Sequence, residues 1–236
     1  MYIYGKNTVR ELLNSNKKIK KAIISNNFSD KDIVLTLQNE NIDIKYSDKK
    51  EMDRLVKAKH QGIIVDIDDF KYSDLDDVLD SINKDWPFLL ILDHLQDPHN
   101  FGAIIRTAES AGIDGIIIPK DRSVDVTATV MKTSAGSIEY IPICKVTNLS
   151  NTIHKLKDKG YWIIGADMEG LDYQRQDYKM PIALIIGSEG QGISKLIKEM
   201  CDYIVTIPMK GHINSLNASV AAGVIIYKVI SSRDRG

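Results

Sequence analysis

The chain has 236 residues, of which 43% are hydrophobic and 27% are charged. This is an ordinary globular composition, and no apolar run approaches the roughly 20 residues that span a bilayer, so we expect no membrane segment. The cysteines Cys144 and Cys201 are isolated in the sequence, and the first residues lack a signal-peptide pattern. We therefore expect a cytoplasmic protein with reduced thiols.

The net charge of −1 is unevenly distributed along the chain. Residues 1–65 carry a net charge of +5, residues 66–85 carry −6, and the remainder is neutral. Such asymmetry predicts a basic module, an acidic connector and a neutral module. We accordingly predict a small domain at 1–70, an acidic linker at 71–85 and a larger domain at 86–236.

The first domain is predicted to alternate helices and strands. Helices are expected at 7–15, 29–40 and 47–59, and strands at 20–25, 41–47 and 61–67. Asn7 is a plausible cap for the first helix. The acidic stretch begins as a linker and then shows apolar residues at helical spacing, with Ser73 as the expected cap.

The second domain repeats strand and helix from Trp86 onward. Strands are predicted at 88–93, 114–119, 138–143, 161–166, 182–187 and 203–208, and helices at 102–112, 126–135, 151–160, 192–200 and 215–232. Short continuous apolar runs are typical of parallel strands that are buried on both faces. We predict an α/β fold with a parallel sheet, whose ligands bind at the carboxyl ends of the strands.

The first polar loop at a strand end is "DHLQDPHNFGAIIRTAESAG", residues 93–112. Asn100 could cap the helix that follows. Arg106 is either a functional group or half of a surface pair with Glu109. The loop also holds two Asp and two His residues, but they lack the spacing of a metal site, so no metal is predicted.

The second loop is "LIIGSEGQGIS", residues 184–194. Its glycines, Gly187, Gly190 and Gly192, permit a sharp turn and a close approach of the backbone to a ligand. It is neither a phosphate-binding loop nor a dinucleotide fingerprint. Glu189 would repel phosphate, so an uncharged or cationic ligand fits better; a purely structural turn is the alternative.

The third loop is "IPMKGHINSLNASVAAG", residues 207–223, which joins a strand to a helix of small residues. Ser215 and Asn217 place a hydroxyl and an amide at the helix entrance. These groups either cap the helix or bind a ligand. Because all three loops follow parallel strands, we expect them to meet at one edge of the sheet.

Together, in order and spacing, the three loops resemble the motifs of the SpoU/TrmH family, RNA ribose 2′-O-methyltransferases of the SPOUT class. The start of the chain, "YGKNTVRELL", resembles the ribosomal-protein-like RNA-binding domain of the RlmB subgroup, which methylates a guanosine in 23S ribosomal RNA. This resemblance implies S-adenosylmethionine as the methyl donor, a homodimer, and a deep trefoil knot at the carboxyl end. Transfer RNA is an alternative substrate, because the catalytic motifs are shared across the family.

The resemblance also assigns roles to residues. The adenosyl contacts would fall on Gly187, Ile207 and Leu216, with Met209, Glu189 and Gly190 nearby. Arg106 is the residue to which the family assigns the hydroxyl proton. Since arginine stays protonated in proteins, we favour a role in binding phosphate and stabilising the developing alkoxide.

The remaining polar residues of the motifs receive supporting roles from the same resemblance. Asn100 would orient Arg106 or the RNA backbone, and Glu189 would hold the loop or cross the dimer interface. Ser215 and Asn217 would face the reacting ribose. An inactive RNA-binding module and a nucleotide-dependent oxidoreductase are the rival interpretations.

The lysines of the first domain form two clusters, at positions 17, 18, 20 and 21 and at positions 49, 50, 57 and 59. Clustered lysines indicate an RNA-binding surface. A solvated surface with no partner is the alternative.

Overall fold

The computed structural model describes residues 1–14, 17–212 and 214–234. Two units separate by their internal contacts: the first comprises residues 1–71 and 126–136, and the second comprises residues 72–125 and 137–236. In the described part of the chain, the strands are β1 (Tyr2–Tyr4), β2 (Ile19–Ser25), β3 (Asp43–Ser47), β4 (Ile63–Ile67), β5 (Phe88–Asp93), β6 (Gly115–Pro119), β7 (Ile143–Val146), β8 (Trp162–Asp172), β9 (Ile182–Gly187) and β10 (Tyr203–Thr206). The helices are α1 (Lys6–Leu13), α2 (Lys31–Asn39), α3 (Lys49–Leu55), α4 (Leu75–Ser81), α5 (Pro98–Ser110), α6 (Ala128–Thr133), α7 (Leu149–Asp158), α8 (Lys195–Glu199) and α9 (Ala218–Arg233).

The first unit is a four-stranded sheet in the order β1-β4-β2-β3. Strands β2 and β3 are parallel, whereas β4 runs antiparallel to both β1 and β2. The predicted cap Asn7 is wrong, because α1 begins after Gly5, which has a positive φ of 91° and provides no side-chain cap. The backbone N–H of Lys6 donates instead to Gln61 Oε1 at 2.9 Å.

The second unit is built on a six-stranded parallel sheet in the order β10-β8-β9-β5-β6-β7. Every residue of β5, β6 and β9 is buried, which confirms the prediction of strands covered on both faces. The strand predicted at 138–143 is wrong. That segment contains a 3₁₀ turn at Ser137–Glu139, and β7 begins only at Ile143, after Pro142, which has no N–H to donate to a sheet.

Helix α6 lies where a helix was predicted, at 126–135, but it belongs to the first unit and not to the larger domain predicted at 86–236. Residues 126–136 belong to the first unit, where α6 contacts β1. The periodicity of a short helix shows that it has an apolar face, but not which core that face will cover.

The acidic stretch contains α4, which belongs to the second unit and buries Val78 and Leu79. Its cap is Asp74 rather than the predicted Ser73, since the Asp74 carboxylate accepts from the N–H groups of Asp76 and Asp77. In the part of the chain that the structure describes, we find no helix that is both long enough and apolar enough to cross a membrane.

The end of α9 is fixed by Arg233, whose guanidinium donates to the carbonyl oxygens of Trp86 (2.7 Å), Tyr178 (3.0 Å) and Met180 (2.7 Å). The same group lies 5.3 Å from the centre of the Phe88 ring. Burial lowers the pKa of Arg233. These contacts anchor α9 to the sheet, which fixes the helix that begins at the third polar loop.

Candidate functional site

The three polar loops lie at the carboxyl edge of the parallel sheet, after β5, β9 and β10. Asp93, the last residue of β5, joins the first loop to the second. Its buried carboxylate accepts from the backbone N–H of Ser194 at 2.7 Å and forms a second hydrogen bond with the His94 ring. The two loops are thus held together at the sheet edge.

Glu189 connects all three loops through one carboxylate oxygen. The side-chain amides of Asn100 and Asn217 both donate to Glu189 Oε1, the second at 3.0 Å. Asn100 lies 89 positions and Asn217 28 positions from Glu189 in the sequence. A charged acceptor makes these hydrogen bonds stronger than neutral ones.

Asn100 does not cap α5, contrary to the prediction. The cap is Asp97, whose carboxylate accepts from the Asn100 backbone N–H at 2.7 Å. This frees the Asn100 side chain for Glu189, so within this chain it orients the glycine loop rather than Arg106. Asn100 is nearly buried, with 8% of its surface exposed.

Asn217 has two functions in the structure. Its Oδ1 caps α9 by accepting from the backbone N–H groups of Ser219 (3.0 Å) and Val220 (3.3 Å) and from the Ser219 hydroxyl (2.6 Å). Its amide nitrogen donates to Glu189. The sequence left open whether Asn217 caps the helix or serves a site; capping and loop bridging occur together.

These loops enclose a cavity of about 810 Å³ within the second unit. The predicted site residues that line it are Gly187, Glu189, Gly190, Ile207, Met209, Ser215, Leu216 and Asn217. The volume is within the range of small-molecule sites, and the apolar walls with a few polar groups are typical of such sites. Leu216 and Met209 are 38% and 37% exposed, so two apolar side chains face an open mouth.

Gly187 lies where no side chain fits. A Cβ at this position would come within 2.1 Å of the Gly192 carbonyl carbon and within 2.3 Å of the Ile193 nitrogen, both backbone atoms. Gly190 and Gly192 instead have positive φ angles of 82° and 66°. The prediction that the glycines permit a sharp turn is confirmed. Gly190 and Gly192 are needed for their positive φ angles, whereas Gly187 is needed because the backbone of the loop packs directly against it.

Strand β8 contributes to the cavity, which the sequence pattern did not predict. Its pairing with β10 jumps from Gly165 opposite Ile204 to Leu171 opposite Val205, so residues 166–170 bulge from the sheet. Residues 166–169 of this bulge line the cavity. The signal was present in the glycines before and at the end of the bulge, because a Cβ at Gly165 or Gly170 would lie within 3 Å of atoms of Ile204.

The charged groups around the cavity are mainly acidic. Asp167, Glu169 and Glu189 line it, and Asp167 also pairs with Lys198 at 3.0 Å. Because Lys198 compensates Asp167, the carboxylates of Glu169 and Glu189 are the ones that favour a ligand with positive charge.

The two thiols are not placed or tuned for chemistry. Burial raises the pKa of Cys144 to about 11 and that of Cys201 to about 12, and neither residue lines the cavity. A cysteine nucleophile needs the opposite shift. Across residues 1–14, 17–212 and 214–234 there is also no cluster of three His, Cys, Asp or Glu side chains that could hold a metal ion.

Arg106 lies on the exposed face of α5 and is not among the described residues that line the cavity. It has no hydrogen bond or ion pair with any other residue that the structure describes. The alternative pair with Glu109 is not formed, and that carboxylate accepts from the Ser137 hydroxyl at 3.2 Å. The structure therefore brings together every predicted site residue except Arg106.

Two protein-family profiles match the chain. The SpoU rRNA Methylase family matches residues 87–227, and the family described as RNA 2′-O ribose methyltransferase substrate binding matches residues 2–73. The first match covers the cavity and α5, and the second covers the sheet of the first unit.

Curated proteins resemble the chain over nearly its full length. It is 42% identical to YacO of Bacillus subtilis over 239 residues, which cover 99% of this chain and 96% of that protein. It is 45% identical to a protein of Staphylococcus saprophyticus over 238 residues, which cover 98% of this chain and 96% of the relative. Both relatives carry names that assign them to the TrmH family of tRNA/rRNA methyltransferases.

Solved structures share the fold. AviRb of Streptomyces viridochromogenes, a SpoU methyltransferase crystallised with AdoMet, superposes with a TM-score of 0.79 at 23% identity, covering 100% of this chain and 91% of its own. The TrmH/SpoU tRNA modifying enzyme of A. aeolicus is 30% identical with a TM-score of 0.58, covering 67% of this chain and 80% of its own.

Proposed function

Because the chain belongs to the SpoU rRNA methylase family and is therefore a methyltransferase, we propose that it methylates a ribose 2′-hydroxyl of structured RNA. The observation that carries the proposal is the cavity whose three walls are joined at the Glu189 carboxylate. Its cofactor is S-adenosylmethionine, which supplies an activated methyl group on a positively charged sulfonium. We place the reaction in the cytoplasm.

The cavity fits this cofactor in size, polarity and charge. Gly187 lets the glycine loop pack against the end of β9 and also lines the cavity. Ile207, Met209 and Leu216 provide apolar walls for an adenosyl group. The carboxylate of Glu189 contributes negative charge that favours a sulfonium over a phosphate. We assign the adenosyl contacts to Gly187, Ile207 and Leu216, with Gly190 and Met209 beside them.

Holding the ribose oxygen and the methyl group in line contributes most to such a reaction, and good positioning supplies about 7–11 kcal/mol. We assign Ser215, at the mouth of the cavity, to the ribose. Asn100, Glu189 and Asn217 are positioning residues that keep the three loops in register.

Arg106 is assigned to the RNA rather than to the cofactor. Its guanidinium is exposed and unpaired among the described residues, so it is free to bind an RNA phosphate. It would remain charged, stabilise the alkoxide that forms as the hydroxyl loses its proton, and leave that proton to water or phosphate.

We further propose a homodimer and a knotted carboxyl end. Residues 218–227 of α9 are apolar except for Ser219 and the Tyr227 hydroxyl, yet Val220 and Tyr227 are each 51% exposed. A helix of this kind is normally buried, and a second copy of the chain would cover the exposed face. In the knot, the segment between β10 and α9 would be threaded through the glycine-loop region.

The substrate we favour is a guanosine of 23S ribosomal RNA, with residues 1–70 as the RNA-binding domain; transfer RNA is the alternative. The family of the second profile is described as binding the substrate of such enzymes, and it matches residues 2–73. The relatives' names include both RNA classes, so the two substrates need a direct test.

The test is to map ribose methylation by mass spectrometry in ribosomal and transfer RNA from cells that lack this gene. We expect one ribosomal site to lose its methyl group and to regain it with the wild-type gene but not with Arg106→Ala. If a transfer RNA nucleotide loses its methyl group instead, the substrate is transfer RNA and not 23S ribosomal RNA. If no nucleotide loses its methyl group and calorimetry shows no binding of S-adenosylmethionine, the proposed activity is wrong.

A further inference from the structure

The two lysine clusters of the first unit lie at opposite ends of its sheet. The β2-start lysines are Lys17, Lys18, Lys20 and Lys21, and the α3 lysines are Lys49, Lys50, Lys57 and Lys59. Strand β2 begins beside the end of β4, since Ile19 pairs with Ile67. Strands β2 and β3 end together, where Ser25 pairs with Ser47, and α3 follows immediately.

Two of the four β2-start lysines form ion pairs with nearby acidic residues. Lys20 pairs with Asp68 at 2.6 Å, and Lys21 pairs with Asp43 at 3.2 Å. The Asp68 carboxylate raises the pKa of Lys20, chiefly through their hydrogen bond. Lys17 lies over the Phe70 ring at 5.2 Å. Asp68, just after β4, and Asp43, at the start of β3, therefore offset about half of the charge of this cluster.

The α3 lysines are in the opposite situation. All four are exposed, and none forms an ion pair with another residue that the structure describes. The acidic residues beside them have other partners: Asp48 accepts from the Glu51 N–H at 2.9 Å, Glu51 pairs with Lys45 at 2.6 Å, and Asp53 bonds His60 at 3.0 Å. This end of the sheet therefore keeps uncompensated positive charge.

The loop that carries Lys57 and Lys59 is held in a defined conformation. His60 is buried; its Nδ1 accepts from the Gly62 N–H at 3.1 Å, which leaves Nε2 to donate to Asp53. Gln61 Oε1 accepts from the Lys6 backbone N–H, and the Lys6 ammonium lies 5.1 Å from the centre of the Phe28 ring. Lys6 thus adds another cation to the same end of the sheet.

We propose that the α3 lysines form the surface on which the first unit binds RNA phosphates, and that the β2-start lysines do not take part. This inference rests on the proposed function, because it assumes that the first unit holds an RNA substrate. Binding to RNA is favoured when cations displace the counterions of phosphates, and a lysine already paired with a carboxylate contributes less. An exposed lysine on a fixed loop contributes more.

The experiment compares two full-length variants that lose the same charge. One replaces Lys49, Lys50, Lys57 and Lys59 with Gln, and the other replaces Lys17, Lys18, Lys20 and Lys21 with Gln. Each is tested with unmethylated 23S ribosomal RNA and with transfer RNA from cells lacking the gene, across roughly 50–200 mM salt. Thermal unfolding and calorimetric binding of S-adenosylmethionine show that each variant is folded.

We expect the α3 variant to lose at least about tenfold in affinity and to reduce the salt slope, log affinity against log salt, by about three. The β2-start variant should keep the wild-type slope within about one. Equal losses in the two variants, or a larger loss in the β2-start variant, would overturn the inference while leaving wild-type methylation intact. Failure of the proposed function looks different, because the wild-type protein would then transfer no methyl group to either RNA.

Discussion

The cavity wall and Arg106 both belong to the polar loops and their helices, but the chain holds them in opposite ways. The wall is fixed by hydrogen bonds of the chain itself: the Ser194 backbone N–H donates to Asp93, and two asparagine amides donate to Glu189. Arg106 has no hydrogen bond or ion pair in the part of the chain that the structure describes. One region is preorganised, and the other residue is not.

This difference is consistent with separate roles for the cavity, which we propose binds the cofactor, and for Arg106, which we propose binds the RNA. A cofactor cavity benefits from fixed walls, because rigidity in the bound shape lowers the ordering cost of binding. A guanidinium that must bind phosphate is better left without an internal partner, since a salt bridge would have to break first. We infer that the orientation of Arg106 comes from the RNA or from a second copy of the chain.

The largest effect should come from Gly187→Ala. The added Cβ would meet backbone atoms of Gly192 and Ile193 at 2.1–2.3 Å, and neither strand nor loop can move away without losing its hydrogen bonds. We expect a loss of more than about 4 kcal/mol in the free energy of unfolding, or no folded protein. Urea unfolding measures it.

The matched control for this prediction is Gly190→Ala. Gly190 has open space around its Cβ position and a φ of 82°, so the substitution adds only backbone strain. It should cost about 1–2 kcal/mol. If both variants are equally stable, the glycine loop is not packed as described.

Arg106→Ala should have the next largest effect, on methyl transfer rather than on cofactor binding. We expect methyl transfer to fall by about 10²–10³-fold, as on removing an oxyanion-stabilising donor. Affinity for S-adenosylmethionine should change little, because Arg106 does not belong to the described lining of the cavity. Single-turnover methylation and calorimetry measure the two effects separately.

Arg106→Lys sharpens this prediction, because it keeps the charge and loses the planar fork. It should also be severely impaired if the guanidinium binds a phosphate through two parallel hydrogen bonds. Near-normal turnover in either variant would show that Arg106 has no role in methyl transfer. The difference between the fixed cavity wall and the unpaired arginine would then have no functional meaning.

A smaller effect is expected when the Glu189 bridge is altered. Asn217→Asp keeps the α9 cap but places a second carboxylate against Glu189, so it should cost about 1–2 kcal/mol in stability. Glu189→Gln alone should cost less, because the side-chain carbonyl oxygen that it introduces still accepts from both amides. In the double variant, the side-chain amide introduced at position 189 can donate to the new carboxylate and restore the bond.

The measurement for the bridge is a double-mutant cycle in urea unfolding and in cofactor affinity. We expect the double variant to be more stable than Asn217→Asp, with a favourable coupling of about 1 kcal/mol. Additive losses in the double variant would mean that the bridge contributes nothing to the wall.

The sequence predicted the parallel sheet because its strands are buried on both faces and read as continuous apolar runs. It failed at 138–143, where alternating apolar residues resemble a strand but Pro142 breaks the ladder. It also could not assign α6 to a unit, because the contact of α6 with β1 joins residues more than 120 positions apart.

The candidate site was predictable where function depends on local residue type. The glycines of the loop and the capping residue Asn217 are recognisable by their position between a strand and a helix. The Asn100–Glu189 hydrogen bond was not, because it joins residues 89 positions apart and no local pattern marks it. The β8 bulge was missed since its strand residues read as an ordinary apolar run up to Ala166.

The smallest effect concerns Cys201, which packs behind the cavity wall where the β8 bulge begins. Its Sγ lies 2.9 Å from the Cβ position at Gly165, where the bulge begins, and donates to the Ile197 carbonyl at 3.3 Å. Burial raises its pKa to about 12, so the folded protein favours the neutral thiol. That contribution to stability is complete below the ordinary thiol pKa of about 8.5 and is lost as the pH rises towards 12.

In the Cys144→Ala variant, labelling with a thiol reagent at about pH 8 should therefore be at least about a hundredfold slower than in urea, because only the thiolate reacts. The matched variant Cys201→Ala reports Cys144, whose pKa burial raises to about 11, and it should also label slowly. If Cys201 is labelled rapidly while Cys144 stays protected, the β8 bulge opens without unfolding of the rest of the second unit. The cavity wall would then not be preorganised.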